Sequence, residues 1–144
     1  MTGAGKERRM PRYRVPRPGS KYYLPKWQYK TVVSFCMQYW ELKTRLASVQ
    51  GLRAVNYDGM PHGTSTSDPT YQSAVQSAEA ARKIEIIENA VKRAAPDMYD
   101  WILKSVTEED MTYEKLRYEL GMPCGKNLYA KLRRLVFWYV SKEI

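Results

Sequence analysis

A short run near the end of the chain carries the most readable chemistry. Lys126, Asn127, Ala130, Lys131, Arg133 and Arg134 crowd into three helical turns. Helical spacing puts Lys126, Asn127, Ala130, Arg133, Arg134 and Phe137 on one side, and Leu128, Leu132, Leu135 and Tyr139 on the other. An asparagine amide can read adenine, an arginine can read guanine, and either cation can hold a phosphate. Ala130 would let a helix backbone lie close to base edges. On this reading Lys126, Asn127 and Ala130 face bases, while Lys131, Arg133 and Arg134 hold phosphates. The plainer reading of the same residues is a solvated basic face on a core helix. A second cationic set, Arg8, Arg9, Arg12, Arg14 and Arg17, lies near the N-terminus. It suits phosphate or minor-groove contact from an extended arm, or a solvated tail.

Other chemistries find little support. His62 is the one histidine, in a turn-rich stretch with no second ligand at metal spacing. Cys36 and Cys124 are far apart and suit free thiols in a reducing interior. Glu108, Glu109 and Asp110 are adjacent carboxylates, but before a short helix they suit capping and dipole roles. There is no Gly-rich phosphate loop and no partnered nucleophile. The expectation is a protein that is not an enzyme and uses no metal or cofactor.

The elements that must position the basic face follow from local patterns. Thr112 is a good N-cap for a short helix whose apolar set is Tyr113, Leu116 and Leu120. Gly121 can end that helix in the left-handed conformation, and Pro123 keeps it from running on. A longer helix then starts near Gly125 or Lys126. A preceding helix over 97–105, with Met98, Trp101 and Ile102 inward, completes a three-helix unit with an acidic turn. Upstream, residues 27–50 form a broad-faced helix ending at Gly51, and residues 70–95 form an Ala-rich helix entered through Asp68 and Pro69. Its small residues suit close packing or dimerisation. Residues 52–69 read as a loop and residues 1–26, broken by four prolines, as a flexible basic arm. The fold class is therefore all-α, a bundle of about five helices, with 1–26 as the arm, 27–95 as two long helices and 97–144 as a helix-turn-helix unit.

The charge supports this division. Over 144 residues the net charge is +9, with hydrophobic content of 44%. Residues 1–30 hold nine Lys/Arg against one acid, residues 112–142 seven against two, and residues 31–111 eight against eleven. Cations gathered at both ends suit a polyanion. No apolar run is long enough to span a bilayer, and no apolar core follows the first basic residues as a secretion signal requires. A cytoplasmic protein is expected.

Three segments resemble RinA/ArpU-like late transcription regulators of prophages in Gram-positive bacteria. They are YKTVVSFCMQYWELK at 29–43, SDPTYQSA at 67–74, and YDWILKSVT with LGMPCGKNLYAKLRRLVFW across 99–138. The last also resembles the helix-turn-helix in region 4 of bacterial sigma factors, through Leu128-Tyr129-Ala130-Lys131-Leu132-Arg133-Arg134. Between Gly121 and Leu128 this chain is one residue longer than that pattern. The resemblance implies a phage regulator in a bacterial host, with double-stranded DNA as partner and RNA polymerase as a second. A homodimer is expected because one recognition helix reads few bases. The alternatives are a helical interaction module that binds polymerase or another phage protein through Phe137, Trp138 and the Ala-rich helix, and a small terminase-like DNA-packaging component.

Overall fold

Alanine-rich and leucine-patterned stretches make helices of most of this chain, and among the described residues Gly19, Pro25, Gly121, Pro123 and Gly125 fall outside the α-helices. A computed structural model describes residues 19–55 and 68–144. The described residues form α1 (Lys26–Met37), α2 (Tyr39–Val55), α3 (Asp68–Ala94), α4 (Tyr99–Thr107) and α5 (Lys126–Glu143), with a 3-10 turn at Pro96–Met98 and a π-wound turn at Lys115–Glu119. No strand occurs among them. The fold is an all-α bundle, as expected from the sequence. Arg8, Arg9, Arg12, Arg14, Arg17 and His62 lie outside the described residues.

The expected helix over 27–50 is two helices, and the second runs through Gly51 to Val55. The break falls at Gln38, with φ −78° and ψ −8°, and neither proline nor glycine causes it. The two halves serve different neighbours: α1 packs on α4 and α5, whereas α2 packs along α3. Val32 and Cys36 on α1, and Tyr39 and Leu42 on α2, are all buried. One straight rod would not present all four to both surfaces, which accounts for the wide apolar stripe in the sequence.

α3 is the longest element, at 27 residues. Ala80, Ile84, Ile87, Ala90 and Val91 are buried along it, and Ala95 just past its end, while residues 71–76 are exposed. It packs on α2, α4 and α5, and the buried small side chains of Ala80 and Ala90 leave room for close-packed neighbours. α4 is buried almost all round: Ile102, Leu103, Ser105, Val106 and Thr107 have little contact with solvent. Met98 and Trp101 are half-buried and Ile102 fully so, matching their expected inward placement. Each large apolar side chain removed from water here contributes on the order of 1.5–3 kcal/mol.

Two polar networks tie the elements together. Glu88 of α3 accepts a hydrogen bond from the Tyr39 hydroxyl at 3.0 Å, pairs with Lys43 at 3.6 Å, and acts with its charge on the Tyr99 phenol of α4. Trp40 donates its indole N–H to the Thr107 hydroxyl at 3.0 Å, and that hydroxyl donates to the Leu103 carbonyl at 2.7 Å. Burial, followed by the charge and hydrogen bond of Glu88, pushes the Tyr99 phenol up to about 12 and raises Tyr39 as well. Burial also pushes the Cys36 thiol up to about 12, partly offset by the nearby Arg133 charge. In each case folding favours the protonated form. The stabilisation is complete below the unfolded-state value and is lost as pH rises through the folded one. The unfolding free energy is therefore expected to fall steeply between pH 10 and about 12. Tyr99→Phe should flatten that fall in denaturant titrations across the alkaline range; an unchanged slope would contradict the assignment.

Candidate nucleic-acid interface

The corner before α5 is built from residues that satisfy its backbone. Thr112 caps the short turn, its hydroxyl accepting from the Lys115 N–H at 3.2 Å. The turn then winds at π pitch: the Leu120 N–H reaches the Lys115 carbonyl at 3.1 Å, and the Met122 N–H reaches the Leu116 carbonyl at 2.8 Å. Gly121 takes φ +72°, the left-handed value expected of it. A Cβ at Gly121 would meet nothing within 4 Å, so only backbone strain opposes a side chain there. Gly121→Ala is expected to cost about 1–2 kcal/mol in chemical denaturation, with Gly121→Asn costing less; equal stability of the alanine variant would refute this role.

Three side chains hold the carbonyls of this corner. Trp101 donates its indole N–H to the Leu120 carbonyl at 2.9 Å. Arg117 donates to the Met122 carbonyl at 3.0 Å, and the Tyr113 hydroxyl donates to the Cys124 carbonyl at 3.0 Å. Beneath them Leu116, Met122 and Cys124 are buried. Leu120, expected to be inward, is exposed instead: the π winding carries it past the core, and its carbonyl becomes the anchor for Trp101. Sequence reasoning missed these three donors. The one available signal was chemical, since a partly buried indole N–H usually finds an acceptor.

α5 starts cleanly at Lys126, with Gly125 at its N-cap in an extended conformation and no side chain capping it. The free N–H groups of its first turn thus remain available to an anion. The buried stripe comprises Tyr129, Leu132, Val136, Phe137, Val140 and Ser141. It is turned by about 100°, one residue of an α-helix, from the expected Leu128-Leu132-Leu135-Tyr139 line. Leu128 is 44% exposed, and Phe137, expected to face outward, is 2% exposed. The cause is the number of neighbours. α5 is packed by α1, α3 and α4 together, so the bulky Phe137 and the β-branched Val136 and Val140 fill the interior. Tyr29 of α1 meets Phe137 edge-on at 5.6 Å between ring centroids. Tyr129 shares a buried 2.9 Å hydrogen bond with Ser105 of α4.

This rotation sorts the candidate contact residues. Lys126, Asn127, Ala130 and Lys131 are all exposed, and they follow one another around the first two turns of α5. Arg134 is half-buried and its Nε donates to the Ala130 carbonyl one turn back, at 3.3 Å. Arg133 departs from its expected outward position. It is half-buried, with its guanidinium 5.3 Å from the Phe137 ring and 5.8 Å from the Tyr129 ring, and its charge acts on the Cys36 thiol of α1. It therefore lies at the seam of α1 and α5, where its planar cation stacks on aromatic faces. The exposed surface left for a ligand is thus the N-terminal half of α5, flanked by the glycine corner.

Among the described residues no group of three or more His, Cys, Asp or Glu could hold a metal ion, and no helix is long and apolar enough to cross a membrane. Comparison with protein-family models, with curated proteins and with solved structures gave no match for this chain.

Proposed function

We propose that this chain is a sequence-specific DNA-binding regulator of transcription, acting through a helix-turn-helix formed by the short turn at 113–119, the glycine corner and α5. The observation that carries the reading is the exposed first half of α5, where Lys126, Asn127, Ala130 and Lys131 lie together beside an uncapped helix N-terminus. A major groove admits one α-helix, and an amide plus cations at its leading end match the edges and phosphates found there. Lys126 and Asn127 would meet bases. Ala130 would permit close approach, and Lys131 and Arg134 would hold phosphates. Arg133 would act indirectly, by fixing α5 against α1. The pinned corner supports the same reading, because a recognition helix must be held rigidly to discriminate bases.

The resemblance to late prophage regulators and to sigma region 4 makes a phage promoter the natural target. RNA polymerase would be the second partner and a homodimer the natural binding form. The interaction-module alternative drew on Phe137 as an exposed contact, and its burial removes that argument. Selection of bound sites from random duplex DNA tests the proposal. Enrichment of one motif is the expected result, and a paired motif at helical-turn spacing would indicate the dimer. Absence of any enriched sequence would refute sequence-specific binding.

A further inference from the structure

The described surface carries an exposed aromatic side chain among lysines on α1, away from the leading residues of α5 in sequence. Trp27, on the first turn of α1, is 71% exposed, unusual for a side chain of its size. The ammonium groups of Lys26 and Lys30 lie 5.2 Å and 4.6 Å from its ring centroid. From Trp27 a shallow groove runs along α1 past Ser34 to Gln38, with Lys83 of α3 on its other bank. Among the described residues none of Lys26, Lys30 and Lys83 is ion-paired; the ion pair found there joins Lys43 to Glu88. This face lies on the far side of α1 from Val32 and Cys36, the side chains α1 buries in the core.

We propose that this groove binds single-stranded nucleic acid, with a base stacked on Trp27 and the backbone phosphates held by Lys26, Lys30 and Lys83. Charge complementarity calls for a polyanion, since Lys30 and Lys83 line the groove and Lys26 stands at its end. The exposed indole selects among polyanions: an unpaired base offers a π-face for stacking, whereas duplex bases already stack on one another and an acidic peptide has no such face. The lysines now against the ring are on flexible stems and can swing to phosphates as a base takes their place. Ser34 and Gln38 supply neutral hydrogen-bonding groups along the track. Such binding is sequence-tolerant and complements a sequence-reading face, as would suit a protein acting where a duplex is opened.

The test uses the full chain and a fluorescein-labelled oligothymidylate of about twelve nucleotides, within the usual site size. Trp27→Ala and the double variant Lys30→Ala/Lys83→Ala are each expected to weaken its binding about tenfold or more, with duplex affinity unchanged. Lys126→Ala/Lys131→Ala should do the reverse. Circular dichroism separates a folding defect from a binding one, and Trp27→Phe, which keeps a stacking ring, should retain most of the affinity. The proposal is overturned if the wild-type chain does not bind the oligonucleotide, if folded Trp27→Ala binds it as tightly as wild type, or if polyglutamate displaces it as well as unlabelled oligothymidylate does. Loss of oligonucleotide binding in the α5 variant to the same extent would also overturn it, by placing the strand on α5. Duplex binding indifferent to α5 but normal oligonucleotide dependence on Trp27 would instead refute the helix-turn-helix reading and leave the groove standing.

Discussion

Phe137→Ala is expected to destabilise the protein by about 3–5 kcal/mol, the range for deleting a buried aromatic side chain. Phe137 is among the largest fully buried side chains and lies where α5 meets Tyr29 of α1 and the guanidinium of Arg133. Truncation opens a cavity and removes both aromatic contacts at once. Arg133→Ala should also lower stability, by about 0.5–2 kcal/mol, because its cation no longer stacks on Phe137 and Tyr129. Urea denaturation of the two variants measures both effects. A Phe137→Ala variant as stable as wild type would place this residue on the surface, restoring the helix-wheel register read from the leucines alone.

The second large effect concerns discrimination between DNA sequences. Asn127→Ala combined with Lys126→Ala is expected to remove about 1–3 kcal/mol of preference at each base these side chains read. Affinity for a selected site should fall toward that for a scrambled duplex, while affinity for the scrambled duplex changes far less. Both side chains are exposed at the start of α5, so the double variant should fold normally. Competition binding between selected and scrambled duplexes gives the ratio directly. A ratio equal to that of wild type would show that neither residue reads a base.

Much of the fold was legible in the sequence because its signals were local. Gly121 and Pro123 act through their own backbone and Thr112 through a hydroxyl that reaches three residues on, and the glycine corner, the capped short turn and the start of α5 lie where those residues place them. What could not be read depended on neighbours. The bend at Gln38 arises because α1 and α2 serve different partners, a fact no local pattern encodes. The rotation of α5 has the same origin. Leu128, Leu132, Leu135 and Tyr139 make a regular stripe, and Tyr129, Leu132, Val136, Phe137 and Val140 make another; only three-sided packing decides between them.

The candidate interface inherits that division. Lys126, Asn127 and Ala130 are exposed where the wheel placed them, and Lys131 is exposed beside them, because all four precede the crowded half of α5. Arg133 is deeper in the bundle, and the one-residue rotation moves it from the ligand face to the α1 seam. The carbonyl contacts of Trp101, Arg117 and Tyr113 join residues 5 to 19 positions apart. They depend on a corner whose shape exists only once the bundle has formed.

Counterion release offers the sharpest test of whether the leading half of α5 grips a duplex. Binding of a selected duplex should be followed by fluorescence anisotropy over a salt series for the wild-type chain and for Lys131→Ala/Arg134→Ala. Removing one phosphate-holding cation lowers the magnitude of the log-log salt slope by about 1. The double variant should therefore bind more weakly and show a slope smaller by about 2. Identical affinity and an identical slope would mean that these cations touch no phosphate and that α5 is not the DNA-binding helix.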